Sequence, residues 1–165
     1  LPMNEIVQEL GFDFDINGNL ASTGKLIQDI LDELNELDYY SQLPPKSLGT
    51  EWLKEHFTPI IKKIKNPNDR LRTIVEHISI QITRSLSESK SIYVTGGGAM
   101  NTFLINRIKH HFKGQIIIPP AQIVDFKEAI VFGFLGSLYL AGVPNTISSV
   151  TGASKETIGG VLHLP

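Results

Sequence analysis

The stretch "SIYVTGGGAMNTFLINRIKHHFKGQIIIPP", Ser91 to Pro120, decides the fold class. "SIYVT" and "QIII" are short β-branched runs bounded by Gly or Pro, and the segment between them carries apolar residues at helical spacing. That rhythm predicts strand, helix, strand, the parallel α/β unit, because parallel neighbours need a long crossover between them. Gly96, Gly97 and Gly98 fall where the first strand ends and a helix beginning near Ala99 to Asn101 starts. Free amides there, with no Cβ to hold a ligand away, suit a phosphate or the ribose side of a nucleotide. A tight turn that binds nothing explains the same glycines. The spacing matches neither GxGxxG, because the sixth position is Asn101, nor the GxxxxGK[ST] phosphate loop, which disfavours a Rossmann or P-loop enzyme.

Upstream, "NDRLRTIVEHISIQITRSL" places Leu71, Ile74, Val75, Ile78 and Ile82 on one stripe of a long packed helix. Met3, Ile6, Val7 and Leu10 form a first one-faced helix, and Leu26, Ile27, Ile30, Leu31 and Leu34 a second. "GFDFDINGNLASTG" between them reads as turn-rich, and "LPPKSLG" as another break. A short helix over Thr50 to Phe57 follows, with Pro59 in the first turn of a further apolar run. Downstream, "DFKEAIVFGFLGSLYLAGVP" puts acidic residues in the first turn of a helix that is apolar almost all round, which predicts a buried core helix. Its apolar part, Ala129 to Val143, is shorter than the roughly 20 residues of a membrane span. Gly133 and Gly136 would allow close helix packing. "GGVLHLP" is a candidate third strand.

The predicted fold class is therefore helix-rich α/β, with a helical segment at 1–67 and an α/β subdomain at 68–165 forming one compact unit. Two parallel strands make too small a sheet to stand alone. The missing strands are expected from an absent part of the protein or from a second copy, which makes a homodimer an expectation too. Leu1 is not an initiator Met, and "LPMNEIVQEL" lacks a basic start and a cleavage site, so the chain reads as starting inside a longer protein.

The chain has 165 residues, 41% of them apolar and 19% charged, with a net charge of -2. That balance gives no electrostatic reason to expect nucleic acid or an anionic membrane as partner. The absence of cysteine excludes thiolate catalysis and Cys-ligated zinc and fits a reducing, cytoplasmic compartment.

"DFDINGN", Asp13 to Asn19, imitates the start of a calcium loop, but its twelfth place is Gly24 where a closing Glu belongs, so it reads as a solvated turn. The five histidines, His56, His77, His110, His111 and His163, show no HxxxH pair and read as surface or helix-end residues. Glu128 is expected at the start of a helix after a strand, hence at the carboxyl end of that strand where α/β proteins bind ligands; helix-dipole stabilisation is the simpler account of it. Thr151 to Ser154 could face a ligand, with a capped loop as the default.

In order, "LASTGK", "PPKSLGTEW", "VTGGGAMN", "EAIVFGFLG", "LAGVPN" and "VTGAS" resemble the C-terminal half of anhydro-N-acetylmuramic acid kinases. The resemblance implies the actin-like ATPase fold of the sugar kinase and actin superfamily, two ribonuclease-H-like domains with ATP and its magnesium in the cleft. It implies ATP-dependent phosphorylation of an amino-sugar-like small molecule, 1,6-anhydro-N-acetylmuramate, in cell-wall recycling. By the same resemblance Gly96, Gly97, Gly98 and Asn101 line the nucleotide, Glu128 faces the sugar or the catalytic centre, and Lys46, Ser47 and Glu51 contribute near the cleft. No dedicated metal site is expected in this chain. The glycine-rich phosphate loop of an N-terminal domain should lie upstream, so this chain alone should not phosphorylate anything. Asn4 stands where true kinases carry the general-base Asp, and an amide lacks the proton affinity of a carboxylate. That substitution keeps a non-catalytic ATP-binding domain open as the alternative.

Overall fold

The computed structural model describes residues 2–43, 46–86 and 88–163. The chain divides into two compact units, residues 1–119 and 120–165. This differs from a boundary at 67, and the reason is the long helix α6.

Unit one begins with α1 (Pro2–Glu9), a turn at Ile16–Gly18, α2 (Asn19–Thr23) and α3 (Gln28–Asn35). The second predicted helix starts later than its apolar pattern, since Leu26 and Ile27 precede it, and part of the turn-rich stretch is helical. A continuous helical run follows: α4 (Thr50–Trp52), a wide π turn (Leu53–Phe57) and α5 (Thr58–Ile61). Pro59 explains the wide turn. It has no amide to return to the fourth residue back and its ring displaces that carbonyl, so Thr58 N–H reaches Leu53 O, five residues back.

Helix α6 (Pro67–Ser85) is the spine of unit one. Asn66 caps it, its Oδ1 accepting from Asn68 N at 2.8 Å, and Pro67 supplies the preset first turn. Leu71, Ile74 and Val75 are buried against Val7, Ala21, Leu34, Phe57 and Ile61, so the helices of residues 1–67 and α6 share one core. Gly24 lets the chain cross this spine, for a Cβ there would overlap the Asn68 carbonyl. Lys25 N then donates to Asp69 Oδ1 at 2.7 Å and Ile27 N to Thr73 Oγ1 at 3.2 Å. The "LASTGK" segment therefore serves packing.

The strand, helix, strand reading holds. β1 (Ser91–Tyr93) and β2 (Gln115–Ile117) are parallel, with Ile92 opposite Ile116, and α7 (Thr102–His111) makes the crossover. Ile92, Ile105, Ile108 and Phe112 form the second core, against which Ile82 and Leu86 pack.

Unit two contains α8 (Ala121–Leu140) and α9 (Ser148–Thr151). Asn145 holds its return segment, donating from Nδ2 to Gly159 O at 2.9 Å and accepting at Oδ1 from Gly159 N at 2.7 Å. Residues 159–163 form no strand; among the described residues of unit two, a single isolated bridge joins Thr146 and Thr157. Helix α8 is not a buried core helix. Phe126, Phe132, Phe134 and Leu140 are 61%, 70%, 62% and 74% exposed, and nothing lies within 4 Å of a Cβ placed on Gly133 or Gly136. An all-round apolar helix needs surface on every side, and the described residues supply little. Among them, no helix is long and apolar enough to cross a membrane.

Candidate functional site

The glycine turn differs from its expected form in one respect. Gly96 has φ +82°, a conformation open mainly to glycine. Gly97 to Met100 then form a separate 3-10 turn, and α7 starts only at Thr102, with Asn101 as N-cap. Asn101 Oδ1 accepts from Leu104 N at 2.9 Å, so the side chain occupies an amide the sequence left open to a ligand.

Conformation does not require glycine at 97 or 98, and neither does packing. A Cβ on Gly97 meets nothing within 4 Å, and one on Gly98 meets only Leu104 Cδ2 at an ordinary 3.8 Å. Just ahead of the turn, Thr95 Oγ1 is buried without a hydrogen-bond partner among the described residues. Backbone stripped of side chains that faces open space fits the close approach of a ligand.

Gly97, Gly98 and Asn101 line a cavity of about 880 Å3 in unit one. Asn4, on α1, lines the same cavity, so folding joins residues more than ninety positions apart. The walls are mainly apolar, with contributions from Leu53, Ile74, Ile78 and Leu104. That mixture of apolar lining and a few polar groups is typical of small-molecule sites.

The remaining expected site residues lie elsewhere. Lys46 donates to Tyr39 O at 2.9 Å, sits 4.7 Å from the Tyr39 ring centre and lines a second cavity of about 730 Å3. Ser47 and Glu51 are exposed, and Glu51 is within 3.4 Å of Thr50 Oγ1. Pro44 and Pro45 of that motif lie outside the described residues. Glu128 belongs to unit two and is exposed in the third turn of α8, because the helix starts at Ala121 and its first turn has no acidic residue. Thr151 Oγ1 donates to Ile147 O at 3.1 Å and Gly152 ends α9 at φ +72°, the capped-loop default. Asp15 satisfies the first turn of α2, its two carboxylate oxygens accepting from Leu20 N and Ala21 N at 2.8 and 3.0 Å.

Two buried networks were missed in the sequence. His77, 2% exposed, is bonded at Nδ1 to Asn35 Oδ1 and at Nε2 to the Tyr40 hydroxyl, each at 2.8 Å. Asn35 Oδ1 can only accept, so Nδ1 carries the proton and Nε2 accepts from Tyr40. Burial, helped by the charge of Arg84, pushes His77 down to about 4, and burial next to Tyr39 pushes Tyr40 up to about 12. Both side chains line the first cavity as neutral groups. The second network is Glu76, 4% exposed. Arg72, Arg107 and His111 surround it at 2.6 to 2.7 Å. Burial alone would raise its pKa, but the hydrogen bonds from Arg107, Arg72 and His111 outweigh this and hold it at about 2. The i,i+4 spacing of Arg72 with Glu76 and of Arg107 with His111 was the available signal. The convergence of the two helices was not readable.

Comparison with known proteins gives a consistent answer. The chain is 31% identical to an anhydro-N-acetylmuramic acid kinase of Saccharophagus degradans, over 94% of this chain and 44% of the relative. It is 34% identical to one of Francisella tularensis subsp. novicida, over 92% and 43%, and 31% identical to one of Coxiella burnetii, over 95% and 45%. The chain thus spans less than half the length of these relatives. The family model of anhydro-N-acetylmuramic acid kinase matches residues 3–165, nearly the whole chain, so the chain belongs to the anhydro-N-acetylmuramic acid kinase family.

Proposed function

We propose that this chain forms the nucleoside-side wall of an ATP cleft in an amino-sugar kinase of the actin-like ATPase fold. The observation that carries the reading is the pair Gly97 and Gly98. Their glycine identity is demanded neither by φ nor by any protein contact, and both border the cavity shared with Asn4. Family membership supports ATP with magnesium, and 1,6-anhydro-N-acetylmuramate as the acceptor. In phosphoryl transfer the protein mainly positions groups and stabilises charge, a task suited to a backbone-lined turn. The motif order supports the C-terminal half as this chain's place; the matched share gives extent, not position.

The roles of Asn101, Glu128, Lys46, Ser47 and Glu51 are part of this proposal. Asn101 acts first by shaping the turn and second through its remaining amide N–H. A cytoplasmic site of action fits a cysteine-free chain, and self-association fits the exposed apolar length of α8.

Calorimetric titration of the chain with ATP and magnesium tests the reading. Gly97→Asp should lower ATP affinity at least about tenfold, since it sets a carboxylate where the ligand approaches. The fold should persist, because the space around Gly97 is open. Unchanged affinity refutes the assignment.

Asn4 favours a second reading, a binding domain without transfer. Its amide lines the same cavity but cannot take the proton of the water that would open the 1,6-anhydro bridge as O6 is phosphorylated. Sugar phosphorylation gained on Asn4→Asp in a relative-length protein supports a decayed kinase; ATP binding without such a gain supports the binding domain.

A further inference from the structure

We infer that Asn17 is a ligand-contacting residue of the 880 Å3 cavity, reading the uncharged donor–acceptor edge of a nucleobase. The inference rests on the nucleotide reading and extends it to a residue and a ligand face.

The lining polar groups, taken one by one, leave few hands free. His77, Tyr40 and Gln81 are bonded directly or through Asn35. Both oxygens of Asp15 are taken, and Asn101 Oδ1 caps α7. Asn4 and Asn17 make no side-chain hydrogen bond among the described residues. Of these two, Asn17 is the one held in an unusual conformation. At φ 57° it is the only described non-glycine residue in the left-handed region.

The turn that carries it is pinned from both sides. Gly18 N donates to Asp15 O at 3.1 Å, and a Cβ on Gly18 would overlap Asn101 Oδ1 and reach Phe103 Cβ within 2.5 Å. Asn17 is thereby fixed beside the glycine turn, with a planar amide that can donate and accept at once. A held, sparsely populated conformation next to a cavity is a mark of function.

The charge of the cavity sets the ligand class. No Lys or Arg lines it among the described residues, and its one carboxylate is consumed internally. Phosphate therefore gains little here. A planar edge with a ring nitrogen and an exocyclic N–H pairs with a side-chain amide in two hydrogen bonds. An acetamido group offers the same chemistry, and the test separates the two sources.

The test is calorimetric titration of the chain and of Asn17→Gly with adenosine, with ATP and with N-acetylglucosamine. Adenosine and ATP should bind within about threefold of each other, as a cavity without cations requires. Asn17→Gly should weaken both about fivefold, the loss of one or two neutral hydrogen bonds. Its urea midpoint should hold or rise, because glycine takes this backbone freely. Unchanged affinity in Asn17→Gly overturns the inference while leaving the nucleotide reading to Gly97→Asp. N-acetylglucosamine bound in place of adenosine overturns the nucleobase assignment. Binding of neither adenosine nor ATP overturns the inference and the nucleotide reading together.

Discussion

Acidifying the protein from pH 7.5 to pH 5.0 should cost it about 2 kcal/mol through His77 alone. The folded state holds this imidazole at about 4 against an ordinary 6.5. It is buried, donating to Asn35 Oδ1 and accepting from Tyr40. The unfolded chain protonates it freely below 6.5. The stability it contributes is therefore complete above pH 6.5, falls away progressively below it and is fully lost once the pH is below about 4. Each unit of separation is worth about 1.4 kcal/mol, so the full loss approaches about 3 kcal/mol. At pH 5.0 most of the unfolded chains carry the proton and few folded ones do, which gives the figure of about 2 kcal/mol. Urea unfolding at the two pH values, in the parent and in His77→Phe, isolates the effect, because every other titrating group is common to both. The parent should lose about 2 kcal/mol more than the variant between pH 7.5 and 5.0. Equal losses would show that His77 titrates alike folded and unfolded, and the buried-network account would fail.

Glu76→Gln should destabilise the chain by about 3 kcal/mol or more, since it leaves the guanidiniums of Arg72 and Arg107 short of their shared carboxylate; urea midpoints measure it, and a change under about 1 kcal/mol would contradict the pairing. The same carboxylate, held at about 2, adds an acid loss between about pH 4.5 and 2 that Glu76→Gln should abolish. Asn101→Ala should cost about 1 kcal/mol by removing the cap of α7, and Asn101→Ser should restore much of it; thermal unfolding separates the two.

The candidate site was only half legible in the sequence. The three glycines announced themselves, because no strand or helix interior prefers them, and their position after β1 followed from the β-branched run. Asn17 gave no such signal: an NG pair in a polar loop reads as an ordinary turn until Gly18 is seen backed against Asn101. Glu128 was misplaced for a local reason. The expected first turn held the acidic residues from Asp125, whereas the helix starts at Ala121 behind Pro120, one turn earlier.

What the sequence determined by itself is what nearest neighbours along the chain control. The stripe of α6, the break at the three glycines and the parallel pairing implied by a helical crossover all rest on local geometry and period. What tertiary structure decided depends on which surfaces meet. It buried His77 and Glu76, which a helical pattern marks only as polar, and it brought Asn4, Asn17 and Gly97 to one cavity. It also left α8 exposed, although its composition reads as core. Hydropathy measures how strongly a segment seeks a partner, and only the packed chain shows whether a partner is there.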